Sequence, residues 1–211
     1  MGRAFTDKER EEIREKLRRT GLKILSGTGI KDISIRDIAK QAGIAQGGFY
    51  SFYANKDEFI LDLMALRVRE KTDIMYENRE KTVDDPGGFI ADLFYKEGMH
   101  LKENRAFNNE DGALFSFWNR VSMFNEDVIG NTYLNFLSKM IDYWEEAGYR
   151  IECDGQGLLN AGVAAGILFS NSSMISKDYF EEIYRAFCEA QVDRFFTAKR
   201  NKDGKGIAED R

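Results

Sequence analysis

The sequence predicts an all-α fold of about nine helices. Its 211 residues contain one proline, the residue that most often interrupts helices. Apolar residues recur at intervals of three and four along most of the chain, which is the spacing of one helix face. Alternation of apolar and polar residues never extends beyond a few positions, so no strand is predicted.

The first predicted helix covers residues 7–26, with Leu17 and Leu25 among the residues on its apolar face. Thr6 and Glu9 are spaced as a capping box, in which each side chain binds the backbone N–H of the other residue. Gly27 is placed to end the helix.

Three further helices follow closely. Ser34 is expected to cap the second, Gly43 to end it, a third helix to cover 45–52, and Asn55 to cap a fourth over 56–78. Helices this short are unstable alone, so they must share a core. The residues expected in that core are Ile13, Leu17, Ile24, Ile35, Ile38, Ala39, Ile44, Phe49 and Phe52. Two helices joined by a three-residue turn that contains glycine match the helix-turn-helix pattern.

The pattern stays helical to the end of the second half. Asp84-Asp85-Pro86 opens a helix with proline in its first turn. Further helices are predicted over 112–124, 127–147, 155–173 and 178–198. The polar segment 199–211 is expected to be a disordered tail.

Charge divides the chain into two parts. The net charge is −5, yet residues 1–56 hold 12 Lys and Arg against 7 Asp and Glu, a balance of +5 that leaves −10 for the rest. This asymmetry indicates a polyanionic partner for the first part, or else a solvated basic helix face. We place domains at 1–56 and 57–198, followed by the tail.

The stretch Ser34–Asp57, SIRDIAKQAGIAQGGFYSFYANKD, resembles the DNA-binding domain of the TetR family of transcriptional regulators. The family pattern reads roughly T-x-x-x-I-A-x-x-A-G-V-S-x-G-x-x-Y-x-[HY]-F-x-[SN]-K-E. Ser34 replaces Thr, Ala45 replaces Ser, and Phe52-Tyr53 replaces Tyr-Phe, while more than ten positions agree in register.

The resemblance implies an N-terminal three-helix helix-turn-helix DNA-binding domain. Its predicted DNA-binding residues are Ser34, Arg36, Ala45, Gln46, Gly47, Gly48, Tyr50, Ser51, Tyr53 and Lys56. Helix N-termini and hydroxyl groups suit phosphate, glutamine suits adenine, and small glycines allow close approach of the backbone. The alternatives are that Ser34 is only a cap, that Gln46 is only solvated, and that Tyr53 is a half-buried ring.

The resemblance also implies a larger helical ligand-binding and dimerisation domain. The predicted pocket residues are Phe94, Met99, His100, Phe115, Trp118, Tyr133 and Phe136. The predicted dimer-interface residues are Ala161, Gly162, Ala165, Phe169, Phe180 and Phe187. Ordinary core packing is the alternative for the first set, and packing within one chain is the alternative for the second.

Other chemistry finds little support. Glu97 and His100 spell the E-x-x-H of di-metal helical bundles, but such a bundle needs two of these motifs and the chain has one histidine. Cys153 and Cys188 lack C-x-x-C spacing, so they are interpreted as inert thiols in a reducing cytoplasm. An enzyme, a metal and a cofactor are therefore not expected. No apolar run approaches the roughly 18 residues of a membrane span.

These observations predict a cytoplasmic, ligand-responsive DNA-binding transcriptional regulator. We expect a repressor that binds a palindromic operator in double-stranded DNA as a homodimer, without a membrane, and is released by a small, largely apolar effector. The alternative is a helical small-molecule binding or scaffold protein that does not read DNA.

Overall fold

The computed structural model describes residues 5–27, 33–103 and 128–197, with the side chains of 26, 27, 100–103 and 197 left out. The chain divides into two compact units. The described residues up to Arg67, together with Leu101–Glu103, form the first unit. Val68–His100 and the described residues from Val128 onward form the second.

The first unit begins with the four helices that the sequence predicts. They are α1 (Asp7–Gly27), α2 (Ile35–Ala42), α3 (Gln46–Phe49) and α4 (Lys56–Glu77), of which α4 continues beyond the unit. The third helix is shorter than predicted, because it ends at Phe49 instead of Phe52. The backbone N–H groups of Phe52 and Tyr53 both donate to the Phe49 carbonyl, at 2.9 and 3.2 Å, which closes the segment into turns.

The predicted caps are confirmed. Thr6 N donates to Glu9 Oε2 at 2.8 Å and Glu9 N donates to Thr6 Oγ1 at 3.3 Å, which completes the capping box. The Ser34 hydroxyl oxygen accepts from Asp37 N at 3.3 Å. Gly43 ends α2 with a φ of 82°, a left-handed conformation that favours glycine.

The core of the first unit lies between these helices. Its buried members are Leu17, Leu25, Ile33, Ile38, Ala39, Ala42, Phe49, Phe52, Tyr53, Phe59, Ile60 and Leu63. Ile13, Ile24, Ile35 and Ile44 pack against it while partly exposed. α1 approaches α4 closely at Gly21, where an added Cβ would lie 2.6 Å from both Phe59 and Leu63.

The second unit is built mainly from helices. Beyond Arg67 the elements are a 3-10 turn (Arg79–Thr82), α5 (Pro86–Glu103), α6 (Val128–Glu146), β1 (Arg150–Ile151), α7 (Gly155–Ser170), a 3-10 turn (Ser172–Met174), α8 (Lys177–Asp193) and β2 (Phe196–Thr197). α7 packs between α6 and α8. The predicted helix over 112–124 and the predicted tail over 199–211 lie outside the described residues.

The end of the last helix corrects the prediction. A helix was expected to reach residue 198, but α8 ends at Asp193 and the next residues form β2. This strand pairs antiparallel with β1, with Ile151 opposite Phe196. The pairing brings the Phe196 ring to 5.7 Å from the Trp144 ring. Phe196, whose spacing is typical of a helix, thus lies in a strand and packs on Trp144.

Trp144 is the largest fully buried side chain of the second unit. Its Nε1 donates to Thr82 Oγ1 at 2.8 Å, which joins α6 to the 3-10 turn. The nearby Tyr149 hydroxyl donates to the Val83 carbonyl at 2.8 Å. Because a buried indole N–H needs an acceptor, Thr82 satisfies the one polar atom of this ring.

Replacing Thr82 with valine, Thr82→Val, should lower the free energy of unfolding by about 1–3 kcal/mol, because it leaves the buried indole N–H without its acceptor. Urea denaturation measures the change. The matched control is Thr132→Val, since the Thr132 hydroxyl donates only to the Val128 carbonyl of its own helix, at 2.8 Å. Equal losses in the two variants would contradict the role assigned to Thr82.

Candidate nucleic-acid interface

α3 has one buried face and one exposed face. Phe49 is fully buried, and its ring lies 5.3 Å from Phe59 and 5.4 Å from Tyr53. Gln46 and Gly47 are exposed on the same turn, and Tyr50 follows them with 54% of its surface exposed. The single turn of α3 is therefore held by one aromatic anchor and presents polar and small residues to solvent.

The other predicted DNA-binding residues lie at or near the surface, with one exception. Arg36, Ala45 and Ser51 are exposed, and Ser34, Gly48 and Lys56 are half-buried. The Ser51 hydroxyl donates to the Gly48 carbonyl at 2.7 Å, so it supports the end of α3.

Lys56 is the first residue of α4, directly after the predicted cap. Asn55 Oδ1 accepts from Glu58 N at 2.8 Å, which confirms the cap. Glu58 in turn accepts from Ala54 N at 2.5 Å. These two bonds fix the backbone on both sides of Lys56, so its side chain starts from a defined position.

Tyr53 is the exception among the predicted contacts. Its ring is 5% exposed, and its hydroxyl donates to Asp62 Oδ2 at 2.7 Å. Burial, together with the hydrogen bond to Asp62, raises the pKa of the Tyr53 hydroxyl above its ordinary value. The prediction that Tyr53 contacts phosphate is therefore corrected: its hydroxyl is used inside the unit, as the half-buried alternative implied.

Asp62 also binds Arg18, and sequence reasoning missed this pair. Arg18 Nε and Nη2 donate to the two carboxylate oxygens of Asp62, each at 2.8 Å. Burial disfavours the charged carboxylate, but the bonds from Arg18 and Tyr53 outweigh it and hold the pKa of Asp62 below its ordinary value. The two residues are 44 positions apart, so no local spacing indicates their contact.

The residues predicted for an effector pocket differ in their burial. Phe94 and Phe136 are buried, and Tyr133 and Met99 are half-buried. The Tyr133 hydroxyl lies 3.5 Å from Glu97 Oε2, and burial raises the pKa of this hydroxyl above its ordinary value. The side chain of His100, and Phe115 and Trp118, lie outside the described residues.

A groove of about 610 Å³ runs beside α5 in the second unit. Lys71, Asp92, Tyr95 and Arg185 are among the side chains that line it. Of the predicted pocket residues that the structure describes, Phe94, Met99, Tyr133 and Phe136, none lines this groove. Nine of its sixteen lining residues are charged, beside apolar ones such as Met75, Phe89 and Leu93, so it differs from the apolar pocket that the sequence predicts.

The predicted dimer-interface residues are mostly internal. Ala161, Ala165, Phe169 and Phe180 are buried within the second unit, and Gly162 and Phe187 are half-buried. An added Cβ at Gly162 would lie 2.9 Å from the Phe94 ring. The small residues of α7 therefore allow close packing inside one chain, which corrects their assignment to an interface between two chains.

Other apolar residues of the same helices point outward. Val163 and Ile167 of α7 are 53% and 61% exposed, and Tyr179 and Ile183 of α8 are 61% and 45% exposed. The two residues of each pair are four positions apart and so lie on one side of their helix. Each helix therefore carries an exposed apolar stripe in addition to its buried face. Met174, in the 3-10 turn between the helices, is 83% exposed.

The described residues contain no group of three or more His, Cys, Asp or Glu side chains that could hold a metal ion. Burial raises the pKa of the Cys153 and Cys188 thiols to about 11, so neither is activated as a thiolate. None of the helices in the described ranges has the length and apolar character that a membrane span requires.

Most of the first unit matches a known protein family. The family described as "Bacterial regulatory proteins, tetR family" matches residues 17–63. The match runs from the middle of α1 to the first turns of α4 and includes the whole helix-turn-helix.

Solved structures share the fold over most of the chain. RolR in complex with its ligand resorcinol superposes with a TM-score of 0.60 at 18% identity, covering 89% of this chain and 90% of that one. A TetR transcriptional regulator from Rhodococcus sp. RHA1 gives 0.57 at 12% identity, covering 87% and 96%. The R. erythropolis transcriptional repressor QsdR, of the TetR family, gives 0.54 at 12% identity, covering 87% and 95%.

A comparison with curated protein sequences finds no match. The matched family consists of bacterial regulatory proteins, and the last two of these structural neighbours are described as transcriptional regulators. Residues 17–63 therefore match the tetR family of bacterial regulatory proteins, and the solved structures show that most of the chain shares the fold of these neighbours.

Proposed function

We propose that the protein is a ligand-responsive transcriptional regulator that binds operator DNA as a homodimer in the cytoplasm. The observation that carries the proposal is the exposed face of α3, which lies inside the matched segment. There Gln46, Gly47 and Tyr50 face solvent while Phe49 is fully buried. A helix held in this way can enter a major groove without disturbing the core.

The proposed DNA contacts have different chemical roles. Gln46 offers an amide that can bind a base edge, and Gly47 lets the backbone come near it. Arg36 and Lys56 bring positive charge, and Ser34 and Tyr50 bring hydroxyl donors, all suited to phosphate oxygens. Ala45, Gly48 and Ser51 complete the backbone surface around α3. The phosphate contacts would set orientation, and Gln46 would supply sequence readout.

Dimerisation is proposed through the outward stripes of α7 and α8. Val163, Ile167, Tyr179 and Ile183 remain largely exposed in the single chain. A second copy would remove them from water, and apolar burial is the main favourable term in such association. Two copies also supply the two helix-turn-helix units that a palindromic operator requires.

An apolar effector is proposed for the second unit, close to Phe94, Phe136 and Tyr133. Aromatic side chains with a few polar groups are typical of small-molecule sites. The half-buried Tyr133 hydroxyl and the Glu97 carboxylate are the polar groups proposed to orient a ligand. Release from the operator, and so relief of repression, follows if the effector binds better to a dimer whose α3 helices do not fit the operator. Mass spectrometry of the purified protein for a retained small molecule tests this part.

The alternative function is a helical binding or scaffold protein that does not read DNA. Random-site selection separates the two functions. We expect the full chain to enrich a palindromic duplex, and no enrichment would favour the alternative. Binding to the enriched duplex should weaken as salt rises, because phosphate contacts release counterions.

The lysine at the start of α4 provides a charge test on the enriched duplex. Lys56→Ala should lower the slope of log affinity against log salt by about 1, because one phosphate contact is lost. Tyr50→Phe should lower affinity with the slope retained. Lys177→Ala is the matched control, since Lys177 is also the first residue of a helix but lies outside the first unit. An unchanged slope in Lys56→Ala would remove the phosphate assignment.

Substitution of Gly47 distinguishes an effect on DNA binding from an effect on stability. No atom lies within 4 Å of an added Cβ at this position, so Gly47→Ala should raise the free energy of unfolding by about 0.5–1 kcal/mol. The same methyl group should lower affinity for the enriched duplex at least about tenfold, because it occupies the space where the backbone meets the bases.

The control for this substitution is Gly87→Ala in α5. An added Cβ at Gly87 would meet only ordinary contacts, at 3.7 Å from Phe196. This variant should gain a similar stability and keep its DNA affinity. Equal DNA affinity in Gly47→Ala and the unmodified chain would place Gly47 away from the interface.

The outward stripe of α7 predicts the oligomeric state. Ile167→Glu should raise the dimer dissociation constant at least about tenfold, because it buries a charge without a partner at an apolar contact. Sedimentation velocity measures the shift from dimer to monomer. The matched control is Ile74→Glu, since Ile74 of α4 is also 61% exposed. A dimer that tolerates Ile167→Glu as well as Ile74→Glu would disprove this interface.

A further inference from the structure

Two arginines of α1 contact elements that follow α3: Arg10 contacts the turn directly after it, and Arg18 contacts α4. Arg10 Nη2 donates to the Ser51 carbonyl at 2.8 Å, and its guanidinium lies 5.0 Å from the centre of the Phe52 ring. Arg18 binds both carboxylate oxygens of Asp62. The arginines are eight residues apart, slightly more than two helical turns, so they project from the same side of α1.

Asp62 joins three elements at one carboxylate. It belongs to α4, it accepts two bonds from Arg18 of α1, and its Oδ2 accepts the Tyr53 hydroxyl from the turn after α3. The Arg18 and Asp62 side chains are only 24% and 26% exposed, so solvent screens this pair less than a surface pair. A planar guanidinium bound through two nitrogens also fixes direction as well as distance.

Tyr53 transmits this geometry to α3. Its ring lies 4.9 Å from Phe59 and 5.4 Å from Phe49, and its backbone N–H donates to the Phe49 carbonyl. α3 has only four residues, too few to keep a helix oriented by its own hydrogen bonds. Its direction must therefore come from the contacts on either side of it.

We propose that Arg10, Arg18, Tyr53 and Asp62 form an orientation clamp that sets the angle at which α3 meets DNA. None of the four touches DNA in this proposal; they are positioning residues that act through Ser51 and Phe49. The inference rests on the proposed DNA-binding function. It also gives the basic residues of the first unit different roles. Arg10 and Arg18 bond to groups of the protein itself, whereas Lys56 is proposed to contact DNA phosphate.

Loss of the clamp should change DNA affinity in a way that differs from loss of a phosphate contact. Without the clamp, α3 samples several orientations. The measured affinity is then the affinity of the DNA-competent orientation multiplied by the fraction of molecules that adopt it. The number of phosphate contacts in the bound state stays the same. A clamp variant therefore loses affinity at every salt concentration without a change of slope, whereas the loss of a phosphate contact lowers the slope by about 1.

The test uses the full chain, the enriched duplex and two conservative variants. Tyr53→Phe keeps the ring and removes the hydroxyl, and Arg18→Gln removes the paired guanidinium. Each should lower affinity at least about fivefold with an unchanged salt slope, and the double variant should lose no more than about the larger single loss, because both act through Asp62. Arg19→Gln removes the same charge from an exposed neighbouring position and is the matched control.

Hydrogen exchange without DNA provides a second measurement. The N–H groups of Gly48, Ser51 and Phe52 close the turns around α3, at 2.8, 3.1 and 2.9 Å from their acceptors. Their exchange should accelerate in both clamp variants more than exchange at the core of α1 and α4. A merely structural role would accelerate exchange throughout the first unit.

The outcomes separate two failures. Unchanged affinity in a folded Tyr53→Phe variant overturns the clamp, and so does a lowered salt slope in Arg18→Gln, which would assign that arginine to phosphate. If the unmodified chain enriches no duplex, the proposed function fails. Hydrogen exchange then decides whether the clamp orients α3: local acceleration supports it, and uniform or absent acceleration overturns it.

Discussion

A single helical turn cannot hold its own direction, and α3 is a single turn. Burial of Phe49 fixes one side of it, and the bonds that converge on Asp62 fix the segment behind it. Both supports come from distant parts of the chain, α1 and α4. The exposed surface that carries Gln46 therefore has a defined direction only in the packed unit. The proposed function depends on this packing more than on any single contact with DNA.

Charge in the first unit has two uses. The balance of +5 over residues 1–56 indicated a polyanionic partner, but Asp62 lies beyond that boundary and neutralises Arg18. Arg18 pairs also with Glu15, three residues earlier on α1. Part of the positive charge thus stabilises the protein. The exposed Arg36 and the helix-start Lys56 are the basic residues proposed to meet an external anion, because Arg36 belongs to the helix-turn-helix and Lys56 begins the helix that follows it.

The second unit shows how one residue pattern can have two explanations. A run of small residues in α7 allows close helix packing, and it was interpreted as an interface between two chains. In the structure Ala161 and Ala165 are buried within one chain, and Gly162 makes room for Phe94. The outward side of the same helix carries Val163 and Ile167. Helical periodicity reveals both faces, but it does not reveal which face is covered by the chain itself.

Local rules were sufficient for most of the secondary structure. Capping residues such as Ser34, turn glycines such as Gly43 and the spacing of apolar residues act over one to four positions, so the sequence alone determined the described helices and the helix-turn-helix motif. Contacts between distant residues decided the rest. The sequence contains no sign that Tyr53 turns inward to Asp62, that Asp62 pairs with Arg18, or that Phe196 leaves a helix to cover Trp144. These outcomes depend on which elements meet in space, and only the packed chain brings residues 9 to 52 positions apart into contact.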